Sequence, residues 1–578
     1  MRSANIERTC QRRIKHIFET SNSNSHIFCD KRIYYMINKV SGNDEPLMNL
    51  IKSFRLGFYD YDFRFSHNGE YIFFLFSDIE SIRQLRFAVQ NSSYQPKITV
   101  FLMPKLTEIV SAFLLEDEMF YYPEAELDLL GIGNVSKRAD KKELFAIKPF
   151  GFDIIPLEND LVSMFSFNFI PRCWSFHDLC VISDIKGPLE VLKSNYGGFA
   201  SVTAIGDMSI NISKSFKDIA PSSLSHLIII DRTIDLVTPL LSQSGYEGMI
   251  AELIGINCGI VSGLSESETS DTKEDYFMME SEDKLLPELR LLNYIELDSA
   301  LKSIFKSITD RSSTKMSDDV TNLKGQFSED SAFYIKHKKI NTHIVMHSTL
   351  SNKIRQNRWR KRIIAMEAKV VSGNTSPMEL ITEMIMCGAD FHNIIRLLCL
   401  DYVVNGRVED YEKLVQGIYA NYGLQQIPFI LRLQHIGLFG SKNIPKTIFK
   451  QHLDAFKLIS QDWVEKSDDA ASLYLGYVPL SARIVEKICK GESQNVVNQL
   501  QKTEIKMEQT GRFMTFPDTN ILICFIGGCT HSEINIIRRI GKKMNINFGF
   551  FTTRLFTPNE FFDDISYGIP GWSKVIQP

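Results

Sequence analysis

The sequence predicts an α/β protein with two parallel-sheet domains and a large helical domain inserted into the second. Before about residue 236, near-continuous apolar runs alternate with amphipathic stripes, which is typical of strands buried on both faces of a parallel sheet. Helical stripes then dominate to about residue 464, and strand-like runs return only at 520–526 and 547–553. Because these late strands need a sheet to join, we expect them to complete the second sheet around the helical insertion.

The composition is that of an ordinary globular chain. Of the 578 residues, 44% are hydrophobic and 23% are charged. The 65 basic and 69 acidic residues leave a net charge of −4, which argues against a nucleic-acid-binding chain. No run reaches the roughly 18 apolar residues of a membrane-spanning helix. Ten scattered cysteines without a C-x-x-C pair are typical of reduced thiols in a cytosolic protein.

The first predicted domain covers residues 1–118 and begins with an amphipathic helix. Ile6, Cys10, Ile14 and Ile17 share one face of it. The arginines of this segment suggest a mitochondrial transit peptide as the alternative, but two glutamates fit that poorly. The apolar runs of this domain lie at 25–30, 71–76 and 97–102.

The second predicted domain is discontinuous and covers residues 119–236 and 465–578. Its early apolar runs lie at 120–122, 152–157 and 224–230. The inserted helical domain covers residues 237–464. One of its helix faces is formed by Tyr411, Leu414, Val415, Ile418 and Tyr422. The segment Ser262 to Asp283 is rich in acidic residues and predicts an unstructured loop.

A basic segment lies inside the insertion. From Lys336 to Lys369 the chain carries ten Lys or Arg residues against one acid, Glu367. A basic helical face suits an acidic partner helix or an anionic membrane surface. The alternative is a face that is simply solvated.

Two carboxylates directly follow the strand run at 224–230. Asp231 and Asp235 stand where α/β enzymes place a metal or an acid/base pair, so a phosphohydrolase or nucleotide-binding protein has to be considered. The phosphate-binding pattern G-x-x-x-x-G-K-[ST] is absent, however. A structural interpretation is favoured, in which Thr238 caps a helix that begins at Pro239. Asp231, Arg232 and Asp235 then tie the strand end to its neighbours.

A glycine pair connects the strand run at 520–526 to a predicted helix. Gly527 and Gly528 could cradle a phosphate with backbone N–H groups, but no lysine follows them. Thr530 and Glu533 have the spacing of a capping box, so a tight crossover turn is favoured. Ser244 to Glu247 has the same spacing. Potential metal ligands without the spacing of a zinc site lie at Cys173, His177 and Cys180. We expect no catalytic set, metal or cofactor.

Several segments resemble one protein family. The run Leu227 to Leu240, followed by Tyr246-Glu247-Gly248-Met249-Ile250, is similar to the Sec/Munc (SM) family of SNARE-binding proteins. Gly476-Tyr477-Val478-Pro479 and Phe525 to Ile534 add to the resemblance. Within the family, these motifs resemble the vacuolar protein sorting-associated protein 33 branch, and Gly528-Cys529-Thr530-x-Ser532-Glu533 favours its B-type paralogue.

The resemblance implies an arch-shaped, three-domain SM fold without catalytic activity or cofactor. It implies a chaperone of SNARE complex assembly that acts in endosome, lysosome or vacuole fusion and in vesicle-mediated sorting. The implied partners are syntaxin-like and R-type SNARE helices and a subunit of the vacuolar protein sorting protein 16 class, within a tethering complex. The chain would be cytoplasmic and peripherally associated with late endosomal, lysosomal or vacuolar membranes.

The resemblance also suggests where the partners bind. A SNARE groove would lie in residues 237–364, on a helical hairpin at about Asn293 to Ile364. Its candidate contacts are Lys302, Lys306, Lys336, Lys338, Lys339, Lys353, Arg355 and Arg358. The tether partner would bind helices within 365–464, at Leu424 and Ile427, for which core packing is the alternative.

Overall fold

The computed structural model describes most of the chain in two compact units. The described residues are 4–42, 44–54, 56–59, 63–103, 110, 145–151, 153–166, 169–176, 178–216, 218–220, 225–261, 277–278, 283–314, 323–373, 375–406, 410–440, 447–460, 470–514 and 519–569. For 308–314 and 323–337 the helical backbone alone is described. The predicted strand at 120–122 lies outside these residues.

The first unit, which comprises Arg2–Met164 and Asn257–Ile260, contains a five-stranded parallel sheet. Its strands, in spatial order, are Gly57–Phe58, His26–Cys29, Glu70–Phe76, Lys97–Met103 and Phe145–Pro149. Its helices are Ala4–Thr20, Lys31–Ser41, Glu45–Ser53 and Ile79–Gln90. All four residues of the predicted N-terminal stripe are buried. A short antiparallel hairpin pairs Ile155–Pro156 with Leu161–Ser163.

The first unit extends past the predicted boundary at residue 118. Phe145–Pro149 pairs in parallel with Lys97–Met103 and so belongs to the first sheet. The run contains Lys148 and Pro149, and this weak apolar pattern gave no strand prediction.

The second unit comprises Phe165–Ile256 and Val261–Pro578 and is built on a sheet whose strands come from distant parts of the chain. In spatial order these are Met507–Gly511, Ser201–Ile205, Ser225–Asp231, Asn520–Ile526 and Asn547–Thr552. Only the edge strand Met507–Gly511 is antiparallel among them. Ile228 lies opposite Ile523, so strands before and after the insertion pair directly, as the sequence predicts.

The remaining helices pack around this sheet or form the insertion. Those outside the insertion are Cys180–Asn195, Asp207–Ser213, Leu480–Cys489, Ser493–Gln501, His531–Met544 and Pro558–Ser566. Those inside it are Tyr246–Leu253, Leu286–Leu289, Tyr294–Thr314, Leu323–Gln356, Arg360–Val371, Met378–Met386, Phe391–Asn405, Tyr411–Tyr422, Ile427–His435 and Thr447–Phe456. The insertion and the second sheet belong to one compact unit.

The prediction of an unstructured loop from Ser262 to Asp283 is wrong for the last part of this segment. Phe277–Met278 forms a short strand, and Asp283 is buried. The carboxylate of Asp283 accepts hydrogen bonds from the backbone N–H groups of Leu285 and Leu286. An acidic composition predicts solvation on average and cannot identify the one carboxylate that the fold uses.

Candidate functional site

The two carboxylates at the end of strand Ser225–Asp231, those of Asp231 and Asp235, accept hydrogen bonds from the backbone of the chain itself. Asp231 accepts hydrogen bonds from the backbone N–H groups of Met208 and Thr233, at 3.1 and 3.0 Å. Asp235 accepts from the N–H of Leu480 at 3.0 Å and from the N–H of Thr238 at 3.0 Å. Both side chains are buried. Burial raises the pKa of Asp231 despite these bonds. This geometry serves to join strand, turn and helix and not to hold a substrate.

Thr238 does not have its predicted role. Residues Thr238–Leu240 form a 3-10 helix without a side-chain cap, and Pro239 is its second residue. The hydroxyl of Thr238 donates to Asp235 at 2.5 Å. The carboxylate of Asp235 accepts from both the hydroxyl and the N–H of Thr238, so Thr238 binds the preceding turn and does not cap a helix.

Arg232 forms the centre of a fully buried ion cluster. Its guanidinium lies 2.8 Å from the Glu533 carboxylate and donates to the backbone carbonyl of Asp235 at 3.0 Å. Burial lowers the pKa of Arg232, but the charges of Glu533 and Asp235 outweigh burial and hold the pKa above its usual value. Ser481 donates to the other oxygen of Glu533. The cluster links the strand end to the helices that begin at Leu480 and His531.

The glycine pair allows a close backbone approach to this cluster. Gly527 and Gly528 have φ values of +92° and +90°. A Cβ at Gly527 would lie 2.8 Å from the Cβ of Arg232, and one at Gly528 would lie 2.3 Å from the ring of Phe556. Thr530 caps the following helix in a complete capping box with Glu533. The turn is filled by the chain, so its glycines are explained by sterics and not by a phosphate.

A second ion cluster at the root of the insertion was missed by the sequence analysis. Glu252 lies 2.9 Å from Arg360 and 3.4 Å from Arg396, while Arg396 lies 3.1 Å from Glu367. All four are nearly or fully buried. Burial raises the pKa of Glu252, but the two guanidiniums outweigh burial and lower it. Arg360 therefore belongs to the interior and not to an exposed basic face.

The predicted capping box from Ser244 to Glu247 is wrong. Gly245 precedes helix Tyr246–Leu253, and no side chain caps it. Glu247 is buried and accepts a hydrogen bond from Asn535 at 2.8 Å. It also lies 3.5 Å from Arg290. These partners are distant in sequence, so the local spacing could not show them.

The predicted hairpin is formed by the helices Tyr294–Thr314 and Leu323–Gln356. Leu297, Leu301, Ile340, Met346 and Leu350 pack into one core with helix Tyr246–Leu253. A buried polar chain crosses this core. The hydroxyl of Tyr246 lies 2.8 Å from Nδ1 of His343, and Nε2 of His343 lies 3.1 Å from Asp283. Because these groups satisfy one another, they fix the middle of the longer helix to the base of the insertion.

The outer surface of the hairpin combines apolar side chains with lysines. Ile295 and Val345 are exposed, as are Phe305 and Ile344. On the first helix, Lys302 follows Ile295 by seven residues and Lys306 follows Lys302 by four. On the second helix, Lys338 precedes Val345 by seven residues. Because residues at these spacings lie on one side of a helix, apolar and basic side chains share helix faces. Lys302, Lys306 and Lys338 are exposed and Lys339 is half-buried, and Lys302 pairs with Asp298 at 2.7 Å. The side chain of Lys336 lies outside the described part.

The other three predicted cations lie around the turn after the hairpin. Lys353, Arg355 and Arg358 are all exposed. The turn itself is held by Asn357, whose side-chain oxygen accepts from the N–H groups of Trp359 and Arg360.

Leu424 and Ile427 begin an exposed apolar row. Leu424 is 68% exposed, which excludes the core-packing alternative for it, and Ile427 is half-buried. Pro428 and Leu431 are exposed on the same face of helix Ile427–His435. Beside this helix, Arg432 lies over the exposed ring of Phe176 at 5.7 Å.

The described residues hold no group of three or more His, Cys, Asp and Glu that could bind a metal ion. Of the three potential ligands without zinc spacing, Cys173 is buried, Cys180 is exposed and His177 lies outside the described part. No helix in the described residues is long and apolar enough to cross a membrane.

Comparison with known proteins identifies the class of this protein. A family model described as the Sec1 family matches residues 7–564, so the chain belongs to the Sec1 family. Members of this SM family are SNARE-binding proteins of vesicle traffic that regulate SNARE-mediated fusion and are not enzymes. The hydrolase interpretation of Asp231 and Asp235 is therefore wrong.

Among relatives, the chain is similar to the vacuolar protein sorting-associated proteins 33. It is 25% identical over 503 residues to protein 33B of Mus musculus, which covers 76% of this chain and 79% of that one. It is 24% identical over 494 residues to protein 33A of Drosophila melanogaster, with coverages of 72% and 77%.

Solved structures show the same fold. The SM protein Vps45 in complex with the Qa SNARE Tlg2 matches with a TM-score of 0.56 at 16% identity, over 98% of each chain. The Unc18–syntaxin 1 complex from Monosiga brevicollis also matches with a TM-score of 0.56, at 14% identity, over 98% and 99% of the chains.

Proposed function

We propose that this chain is a chaperone of SNARE complex assembly in endosomal, lysosomal or vacuolar fusion and sorting. The names of its relatives, vacuolar protein sorting-associated proteins 33A and 33B, support this pathway. In this proposal the chain works within a tethering complex and is peripherally associated with those membranes.

The observation that carries the proposal is the outer surface of the hairpin. Exposed Ile295, Phe305, Ile344 and Val345 are apolar anchors of the kind that an amphipathic partner helix requires. The lysines 302, 306, 338 and 339 beside them suit a partner helix with acidic residues. We assign syntaxin-like and R-type SNARE helices to this surface, with Lys336 as a further candidate contact.

The chaperone would act by lowering the ordering cost of assembly. SNARE segments are flexible before they pair, and each loses conformational entropy when it becomes a helix. A rigid surface that holds two segments side by side takes up part of this cost before they join. The buried contacts of Tyr246, His343 and Asp283 support such rigidity, since they fix the longer hairpin helix at its middle.

Binding of endosomal SNARE helices to the full chain tests this function. We expect Val345→Asp to weaken binding about tenfold or more, because a charge would replace an interface anchor. Met386→Asp is the matched control, since Met386 is also an exposed apolar side chain but lies outside the hairpin. A chain that binds no endosomal SNARE motif, or variants that weaken binding equally, would contradict the proposal.

We further propose that a protein 16-class subunit binds the apolar row of Leu424, Ile427, Pro428 and Leu431. An exposed row of this kind on one helix face is typical of a protein interface. Co-purification of the two subunits tests this, with Leu424→Asp expected to abolish it and Met386→Asp expected to leave it intact. Retained co-purification of the Leu424→Asp chain would place the interface elsewhere.

A further inference from the structure

The turn after the hairpin carries a cluster of cations beyond the apolar anchors of the proposed SNARE surface, and three of these cations are ones that the resemblance suggests as SNARE contacts. Lys353, Arg355, Arg358 and Lys361 are exposed within nine residues of sequence. Among the described residues, no carboxylate lies within ion-pair distance of any of the four. We call these four residues the turn cluster.

The acids near the turn are already engaged by other cations. Glu383 forms a two-pronged ion pair with Arg362, at 2.6 and 2.5 Å. Glu252 is bound by Arg360, and Glu367 is bound by Arg396. The fold therefore pairs the other cations beside the turn directly and leaves the turn cluster without a direct ion pair among the described residues. The hydrogen bond from Arg362 and, more weakly, the nearby charge of Arg358 lower the pKa of Glu383. This arrangement gives a local positive potential on a chain whose net charge is −4.

The turn is rigid and presents its charges outward. Asn357 holds the backbone through the N–H groups of Trp359 and Arg360. Arg360 and Ile363 are buried and anchor the following helix. The guanidinium of Arg358 lies 4.6 Å from the centre of the Trp359 ring, so its position is restricted by a cation–π contact. The backbone of the turn and the position of one of its four cations, Arg358, are thus held in place.

The surroundings of the cluster identify the kind of partner. A helical partner needs apolar anchors, but no large apolar side chain is exposed between Asn352 and Arg362. Contact by charge alone, without fixed registration, is typical of basic protein surfaces on anionic lipid headgroups. Members of the family regulate SNARE-mediated fusion, so the chain works close to membrane surfaces.

We propose that the turn cluster binds the anionic headgroup surface of a membrane directly, without a SNARE or a tether subunit. This goes beyond the proposed function, because it gives the chain its own membrane contact. Each cation near an anionic surface contributes about fivefold to partition, so the four together would contribute a hundredfold or more. At 0.5 M salt, screening would remove most of this effect.

Flotation of the full chain with protein-free vesicles tests the proposal. The vesicles contain phosphatidylcholine alone or with 30% phosphatidylserine. We expect binding only with phosphatidylserine, and a loss of roughly a hundredfold or more in the quadruple variant Lys353→Gln, Arg355→Gln, Arg358→Gln, Lys361→Gln. The charge-retaining variant Lys353→Arg, Lys361→Arg should bind like the unmodified chain.

A matched control removes four exposed lysines elsewhere in the second unit, namely Lys413, Lys450, Lys502 and Lys542, each to Gln. Equal loss in this control would show a general charge effect and overturn the proposal. Unchanged vesicle binding of the turn variant would also overturn it, as would a turn variant whose only defect is SNARE binding. Because the vesicles contain no SNARE, failure here leaves the proposed SNARE function untouched.

Discussion

Replacing Arg232 by Met should severely destabilise the second unit. The side chain is 0% exposed and compensates Glu533 and Asp235, with its guanidinium 2.8 Å from Glu533. Removing one partner of a buried ion pair leaves an uncompensated charge in the interior and typically costs about 3–5 kcal/mol. We expect a loss of this size in the free energy of unfolding, measured by urea titration with circular dichroism at 222 nm.

The double variant Arg232→Met, Glu533→Gln separates charge from packing. Because it removes both ends of the pair, its loss should be smaller than the sum of the two single losses by at least about 1 kcal/mol. Arg362→Met is the matched control, since Arg362 pairs with Glu383 at 2.5 Å with both side chains about half exposed, and such surface pairs contribute about 1 kcal/mol or less. Losses for Arg232→Met that equal those of Arg362→Met, or strictly additive losses in the double variant, would refute the reasoning.

Three further expectations follow from particular contacts. Burial lowers the pKa of His392, but two neighbouring aspartates outweigh burial and raise it to about 9. The histidine should therefore stabilise the fold fully below its ordinary pKa of about 6.5 and lose this effect as pH rises through about 9. Urea unfolding of His392→Gln beside the unmodified chain at pH 6 and 9.5 measures this. A difference in the free energy of unfolding between the two chains that is the same at both pH values would contradict it. Gly527→Ala should destabilise the fold by at least about 2 kcal/mol, because the new Cβ would lie 2.8 Å from the Cβ of Arg232. Gly491→Ala is the control, since Gly491 has a φ of +80° but nothing within 4 Å of a new Cβ, and it should cost only about 1 kcal/mol. Equal melting temperatures of the two variants would contradict this expectation. Tyr246→Phe should increase amide hydrogen exchange in helix Leu323–Gln356, since His343 loses a partner, and unaltered exchange there would show that the polar chain does not fix the hairpin.

The fold followed from the sequence wherever the hydrophobic pattern was sufficient. The predicted strands at 71–76, 97–102 and 520–526 match observed strands within a residue at each end, because buried parallel strands are continuously apolar. The edge strand Met507–Gly511 could not be recognised, since four of its residues are exposed and its sequence is mainly polar. Partial burial removes the pattern on which such predictions depend.

The buried ion pairs of the site could not be predicted, because their partners are far apart in the sequence. Glu252 and Arg396, in the second ion cluster, contact each other across 144 residues of sequence, and Arg232 and Glu533 pair across 301. No spacing rule covers such distances. By contrast, the capping box of Thr530 and Glu533 lies within one helical turn and was predicted correctly. The exposed apolar residues of the hairpin could not be predicted, because single apolar residues in polar surroundings give no pattern that separates an exposed anchor from a buried one.

The pairing of Ser225–Asp231 with Asn520–Ile526 has a consequence for synthesis on the ribosome. After Asp231 emerges, 288 residues must be made before Asn520 follows. At about 5–20 residues per second this takes roughly 15–60 s, during which an apolar strand lacks its neighbour. The nascent chain therefore presents an open sheet edge for much of its translation. Such an edge can pair with other chains and cause aggregation unless a chaperone covers it. Premature termination within the insertion would leave that edge permanently unpaired, so truncated chains should be cleared by degradation and not accumulate as folded fragments.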